Sequence, residues 1–262
     1  MLHFKVAGEG EPLVLIHGLF GSLENLGAVA RLLSSHFKVY SVDLPNHGRS
    51  AHRTGAGLAQ MAHIVWQWIE EVGIANPAIV GHSLGGKVAM EIALSHPGRV
   101  AGLVVIDIAP VAYPPRHHDV FSGLNAIEPV DLPNRAEAEV LMSSHVEAAA
   151  VRSFLLKNLV KNETGFSWRM NLADIQREYP NLISENRTDA IFPAPVLFLK
   201  GGESDYIRPD HHQAIIRRFP AAQFKVIAST GHWLHAEKPE LTATLIRKFL
   251  SEPPSTQSKD TY

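Results

Sequence analysis

The chain has 262 residues, of which 45% are hydrophobic and 19% charged, with a formal net charge of −2. That length suits one large α/β domain or a core with an inserted subdomain, and the near-neutral charge offers no basic surface for nucleic acid or anionic lipid. Cysteine is absent, which excludes disulfides, cysteine nucleophiles and thiolate metal sites. The opening residues Met1–Gly10 lack the apolar run of a signal peptide, and no stretch of about 18 apolar residues occurs. A cytoplasmic protein with no membrane span is expected.

In chain order, apolar runs at Pro12–His17 and Phe37–Val42 read as strands, and Leu58–Val72 carries apolar residues at helical spacing. Ala78–Gly81 is a further strand-like run, Val88–Leu94 fits a helix, and Val100–Ile108 reads as the next strand. The stretch 111–194 then breaks the rhythm. It holds Pro114, Pro115, Pro129, Pro133, Pro180 and Pro193, with helical patterns such as Arg135–Ala150 and Val151–Val160 between them and no strong β run. Alternation resumes with a strand at Val196–Lys200, a helix at His211–Phe219, a strand at Phe224–Ala228 and a helix at Pro239–Leu250. Strands alternating with helices predict an α/β fold with a mainly parallel, doubly wound sheet, and 111–194 is expected to be a helical cap inserted between core strands. The core is then 1–110 and 195–250, and the Pro- and Ser-rich 251–262 reads as a disordered tail.

Sheets of this kind carry their sites at the C-terminal ends of the strands. The run Ala78–Gly81 leads into Gly81-His82-Ser83-Leu84-Gly85, and a helical stretch follows at once. Strand, tight turn and helix are the setting of a nucleophile elbow, with Ser83 on the turn and its Oγ projecting above the sheet. A serine hydroxyl needs a base, and the base an orienting carboxylate. In this chain order the histidine comes last. Ser229-Thr230-Gly231-His232-Trp233-Leu234-His235 follows the final strand, so His232 is the expected base and His235, three residues on, its competitor. The oxyanion hole is expected from the backbone N–H groups of Leu84 and Leu19, with Phe20 as the alternative to Leu19. Two strand ends offer an acid: Val104-Val105-Ile106-Asp107 before the insertion and Gly202-Glu203-Ser204-Asp205 after it.

Other polar groups read as structure. Asp43, His47 and Arg49 fit a hydrogen-bonded turn beside the elbow, His17 fits a brace for the loop after the first run, and His82 should point away from Ser83. His117-His118 and His211-His212 lack spaced ligand partners, so no metal is expected. Gly85-Gly86-Lys87 lacks the spacing of a phosphate-binding loop.

Four segments in combination, His17-Gly18-Leu19-Phe20-Gly21-Ser22, Asp43-Leu44-Pro45-Asn46-His47-Gly48-Arg49-Ser50, Gly81-His82-Ser83-Leu84-Gly85-Gly86 and Gly231-His232-Trp233-Leu234-His235-Ala236-Glu237-Lys238-Pro239, resemble the α/β-hydrolase superfamily over roughly 12–250. Asp107-Ile108-Ala109-Pro110 and Gly201-Gly202-Glu203-Ser204 bring it closer to the YbfF-type carboxylesterases and their ABHD11 relatives. The resemblance implies a cofactor-free Ser-His-Asp esterase in which Asp107 is the acid and Ser204 assists near the histidine. This sequence departs from that pattern by also having Asp205, which stays as the alternative acid. Phe20, Leu84 and Trp233, with Phe121, Leu155 and Phe166 of the cap, are expected to wall an apolar pocket for short- to medium-chain acyl esters or acyl thioesters. The expected partner is a small-molecule ester, with the chain a monomer or homodimer. A serine C–C bond hydrolase of the same fold stays open through Arg116, Arg152 and Arg169, as does a non-enzymatic ligand receptor built on the fold.

Overall fold

The computed structural model describes residues 1–127, 132–163, 165–186 and 189–251. Val-, Ile- and Leu-rich runs form β2 (Pro12–Ile16), β4 (Ala78–His82) and β5 (Gly102–Ile106), whose residues are almost all buried. Near-continuous apolar character is what a strand covered on both faces requires. With β1 (Phe4–Ala7), β3 (Lys38–Val42), β8 (Val196–Gly201) and β9 (Ala222–Ile227) they make a seven-stranded sheet in the order β1-β3-β2-β4-β5-β8-β9. Strand β1 is antiparallel to β3, with Phe4 opposite Val42, and the remaining pairs are parallel.

Successive side chains of a strand point to opposite faces, and the core divides accordingly. Leu13, Leu15, Val80 and Val104 pack with α1 (Gly27–Leu33) and α10 (Pro239–Ser251) on one face. Val14, Ile16, Ile79 and Val105 pack on the other with α2 (Leu58–Val72), α3 (Leu84–Ser95) and α8 (His212–Arg218). The short α9 (Leu234–Glu237) follows β9.

Between β5 and β8 the chain leaves the sheet and forms α4 (His118–Ile127), α5 (Arg135–Ser143), α6 (Ala149–Leu156) and α7 (Leu172–Leu182). The expected helices are there with shifted ends: the pattern over Arg135–Ala150 divides at Ser143, and that over Val151–Val160 stops at Leu156. Beyond it lies an element the sequence did not suggest. Strands β6 (Leu159–Asn162) and β7 (Gly165–Trp168) pair as an antiparallel hairpin, Leu159 opposite Trp168. Strand β1 and helix α1 were likewise not expected. Of the stretch read as a tail, Ser251 closes α10 and the rest lies outside the described residues.

Candidate active site

The parallel strands stack their C-terminal ends side by side, and the expected residues follow those ends directly. Ser83 comes one residue after β4 and its N–H continues the ladder by donating to Ile106 O (3.0 Å). Asp107 comes one residue after β5 and donates in the same way to Leu199 O (2.8 Å). Ser83 has φ 54° and ψ −120°, a conformation that for a residue with a Cβ costs on the order of 1–3 kcal/mol. The flanking glycines make the turn sterically feasible. A Cβ on Gly81 would run into the Gly85 carbonyl, and one on Gly85 into the Ile16 and His17 carbonyls of the neighbouring strand end. Helix α3 begins at Leu84, so its first N–H groups have no acceptor within the helix and its positive end faces the space above Ser83.

His232 lies between the two strand-end residues. Its Nε2 is 3.0 Å from Ser83 Oγ and its Nδ1 is 2.8 Å from Asp107 Oδ2. Asp107 is fully buried and could not stay there as an isolated charge. Gly201 N–H donates to its Oδ1 (3.1 Å) and the Ser204 hydroxyl to its Oδ2. The alternative acid, Asp205, stands apart: its side chain is 66% exposed and ion-paired with Arg116 (2.9 Å). That hydrogen bond holds its carboxyl below the ordinary aspartate range.

Two further imidazoles surround the base. His82 hydrogen-bonds through Nε2 to the His232 carbonyl oxygen (2.9 Å), and its ring centre lies 4.7 Å from that of His232 and 4.2 Å from that of His235. Burial, reinforced by the neighbouring imidazoles, holds His82 well below its usual range, and burial pushes His235 down to about 3. Both are therefore neutral at pH 7. His235 contacts His82, and among the described residues its buried Nδ1 has no hydrogen-bond partner, whereas the imidazole bonded to Ser83 is that of His232. His17 accepts from Leu44 N–H through Nε2 (3.0 Å), which leaves Nδ1–H to donate to Gly18 O (2.8 Å) and brace the Leu19 loop. The Asp43 carboxylate accepts from the N–H groups of Leu23 (2.7 Å) and Arg49 (2.8 Å) and so ties the neighbouring turn together.

The cleft at Ser83 is lined by apolar Leu19, Leu84, Ile108 and Leu182 and by the aromatic side chains of Tyr113, Tyr179 and Tyr206. Arg116, His117 and Lys87 also reach it. In the sequence Lys87 stands out only within Gly85-Gly86-Lys87, which lacks phosphate-loop spacing. It is buried, donates to Val111 O (2.9 Å) and Ser184 O (2.6 Å), and burial pushes its ammonium down to about 7. Neither Phe20 nor Trp233 belongs to this lining. Phe20 is buried behind it, packed edge-on against His117 and Phe121, and Trp233 packs on Phe154. The three tyrosines were not singled out in the sequence, since lone aromatic residues in loops and in α7 carry no spacing signal. Of the three arginines that kept a C–C bond hydrolase open, Arg116 reaches the cleft, whereas Arg152 is bound to Glu139 within the insertion. Among the described residues no group of three or more His, Asp or Glu could hold a metal ion, and no helix is long and apolar enough to cross a membrane.

Comparison with known proteins agrees with this architecture. The sequence model of the alpha/beta hydrolase fold matches residues 11–239. Esterase YbfF of Escherichia coli is 37% identical over 242 residues, covering 92% of this chain and 93% of that protein. The mouse sn-1-specific diacylglycerol lipase ABHD11 is 36% identical over 248 residues, covering 91% of this chain and 80% of that protein. A solved structure described as a marine microorganism esterase superposes with a TM-score of 0.91 at 36% identity, covering 95% of this chain and 98% of the other.

Proposed function

The chain belongs to the alpha/beta hydrolase fold family, and from that premise we propose that it is a carboxylic ester hydrolase working through Ser83, His232 and Asp107. The observation that carries this reading is the unbroken hydrogen-bonded line from Ser83 Oγ through both nitrogens of His232 to a buried carboxylate. Its similarity to proteins named as esterases and as a lipase supports the ester class.

In the proposed reaction His232 Nε2 takes the Ser83 proton as Oγ attacks the acyl carbon. Asp107 orients the imidazole and stabilises the cation, and Ser204 and the Gly201 N–H hold Asp107 in place. The N–H groups of Leu84 and Leu19 stabilise the oxyanion, each contributing on the order of 3 kcal/mol of transition-state stabilisation. His232 returns the proton to the departing alcohol, water enters, and the acyl-enzyme on Ser83 is hydrolysed by the same steps in reverse order. Residues 111–194 act as the cap on a core of 1–110 and 195–250, so the cap shapes the acyl site. Its apolar lining favours short- to medium-chain acyl groups, as oxygen esters or thioesters. A C–C bond hydrolase draws less support, because the cations at the cleft are already engaged, Arg116 by Asp205 and Lys87 by the Val111 and Ser184 carbonyls.

The test is the initial rate of p-nitrophenyl ester hydrolysis over acyl chains of two to twelve carbons, for the wild type and Ser83→Ala. The expected result is turnover with an optimum at short to medium length and a loss of about 10³-fold or more in Ser83→Ala. Folded wild-type protein that turns over none of these esters, or an Ser83→Ala variant that still does, would overturn the reading.

A further inference from the structure

One loop, running from Gly201 to Ile207, touches both partners of Ser83. Its Gly201 N–H and Ser204 hydroxyl bind Asp107, and its Tyr206 ring lies flat on the imidazole of His232, with centres 3.8 Å apart and planes within 17°. The two ring hydrogen bonds of His232 lie in the plane of the imidazole. They fix its direction but leave tilt about the line from Ser83 to Asp107 unrestrained. A flat ring against one face restrains that tilt, and the electron-rich face of a phenol also favours a cation beneath it. Resting on the reading of His232 as the base, we propose that Tyr206 is a positioning residue for His232, and that the first residues of the insertion hold it in place.

The support for Tyr206 comes from that segment. Its carbonyl oxygen accepts from the Tyr113 hydroxyl (2.6 Å), which in turn accepts from Ala109 N–H (2.8 Å). Its own N–H donates to Ser204 Oγ (3.3 Å). The Arg116 guanidinium sits 5.5 Å from the centre of the Tyr206 ring and is tied to Asp205 next door. The titratable groups near His232 are Asp107 from β5, His82 from β4, His235 from α9 and His117 and Arg116 from the insertion. Burial keeps the three histidines among them neutral at pH 7. Arg116 is paired, and Asp107 is the charge in direct contact with the ring. The Tyr206 face, closer to the imidazole and flatter on it than His82, thus adds support for the imidazolium that forms when His232 takes the Ser83 proton.

Steady-state kinetics on one p-nitrophenyl ester, with Tyr206→Leu and Tyr206→Phe compared to the wild type, test this. The expected result for Tyr206→Leu is a kcat lower by about tenfold, ~1.4 kcal/mol, with KM within about twofold. Tyr206→Phe, which keeps the face and loses the hydroxyl, should recover most of that loss. Tyr206 is only half-buried; should Tyr206→Leu lose its folded melting transition, Tyr206→Met serves as the aliphatic variant. An unchanged kcat in the aliphatic variant would overturn the proposal. So would a loss confined to KM, which would make the ring a pocket wall, or an equal loss in Tyr206→Phe, which would assign the effect to the hydroxyl. Wild-type turnover abolished by Ser83→Ala is the baseline. If that baseline fails, the esterase reading falls, whereas a sound baseline with a normal aliphatic variant removes only the role of Tyr206.

Discussion

Asp107 and Asp205 are the same residue type at comparable strand ends, and their surroundings separate them. Asp107 is enclosed, with a backbone N–H, the Ser204 hydroxyl and the His232 imidazole all directed at its carboxylate. Asp205 faces solvent and engages Arg116. Asp107→Asn keeps the shape and removes the charge that orients the imidazole, so it should lower kcat by about 10³–10⁴-fold. Asp205→Asn breaks a mostly exposed ion pair, whose contribution is small, and should lower kcat by about tenfold at most. The reverse order in the same ester assay would move the acid to Asp205. The motifs made Ser83 and His232 legible, because a strand, two glycines and a helix leave the serine few places to go. The residues by themselves leave the acid open between two aspartates and only the family resemblance favours Asp107 with Ser204, since nothing in the Gly202–Asp205 run says that Ser204 turns inward while Asp205 turns out. Tyr206 was not legible at all: its ring reaches His232 only because β8 and β9 are neighbours in the sheet.

The turn between β4 and α3 works as an element because three strands and a helix meet there at backbone distance. Gly85→Ala is expected to destabilise the protein by on the order of 3 kcal/mol, since its Cβ meets main-chain carbonyls that cannot rotate away. Denaturant midpoints measure this, and a midpoint equal to that of the wild type would show that α3 can shift on β2. The same reasoning explains which elements the sequence made plain. Strands buried on both faces, such as β4 and β5, are continuous apolar runs, and long amphipathic α2 keeps a clean helical period. Strand β1 has no buried residue and lies at the sheet edge, so its four residues carry no pattern. The first two residues of β6 merge with the preceding helix in the sequence pattern because Val151, Phe154, Leu155, Leu159 and Val160 fall at helical spacing although the helix ends at Leu156.

For the whole molecule the buried imidazoles set the response to acid. His17, His47, His82 and His235 are buried, and in each case burial is the main reason that the folded state holds the proton off, to about 3 for His47 and His235. Unfolded, each returns to an ordinary value near 6.5. Between about pH 6.5 and about 3 the unfolded chain binds more protons than the folded one, so stability rises with pH there and is lost as pH falls. Each such group contributes up to ~1.4 kcal/mol per pH unit within that window. Resistance to urea should therefore fall steeply from pH 7 to pH 5, and His235→Phe should flatten the slope by up to one proton. A slope identical to that of the wild type would remove His235 from this account.

The insertion departs from the sheet immediately after Asp107, and within ten residues of it Tyr113 and Arg116 have gripped the loop that carries Tyr206. If the insertion shapes the acyl site and Tyr206 positions His232, as proposed, a lineage that remodels this segment to admit a new acyl group also alters the grip on its own imidazole. Substrate range and turnover would then be inherited together, divergence in one calling for repair of the other.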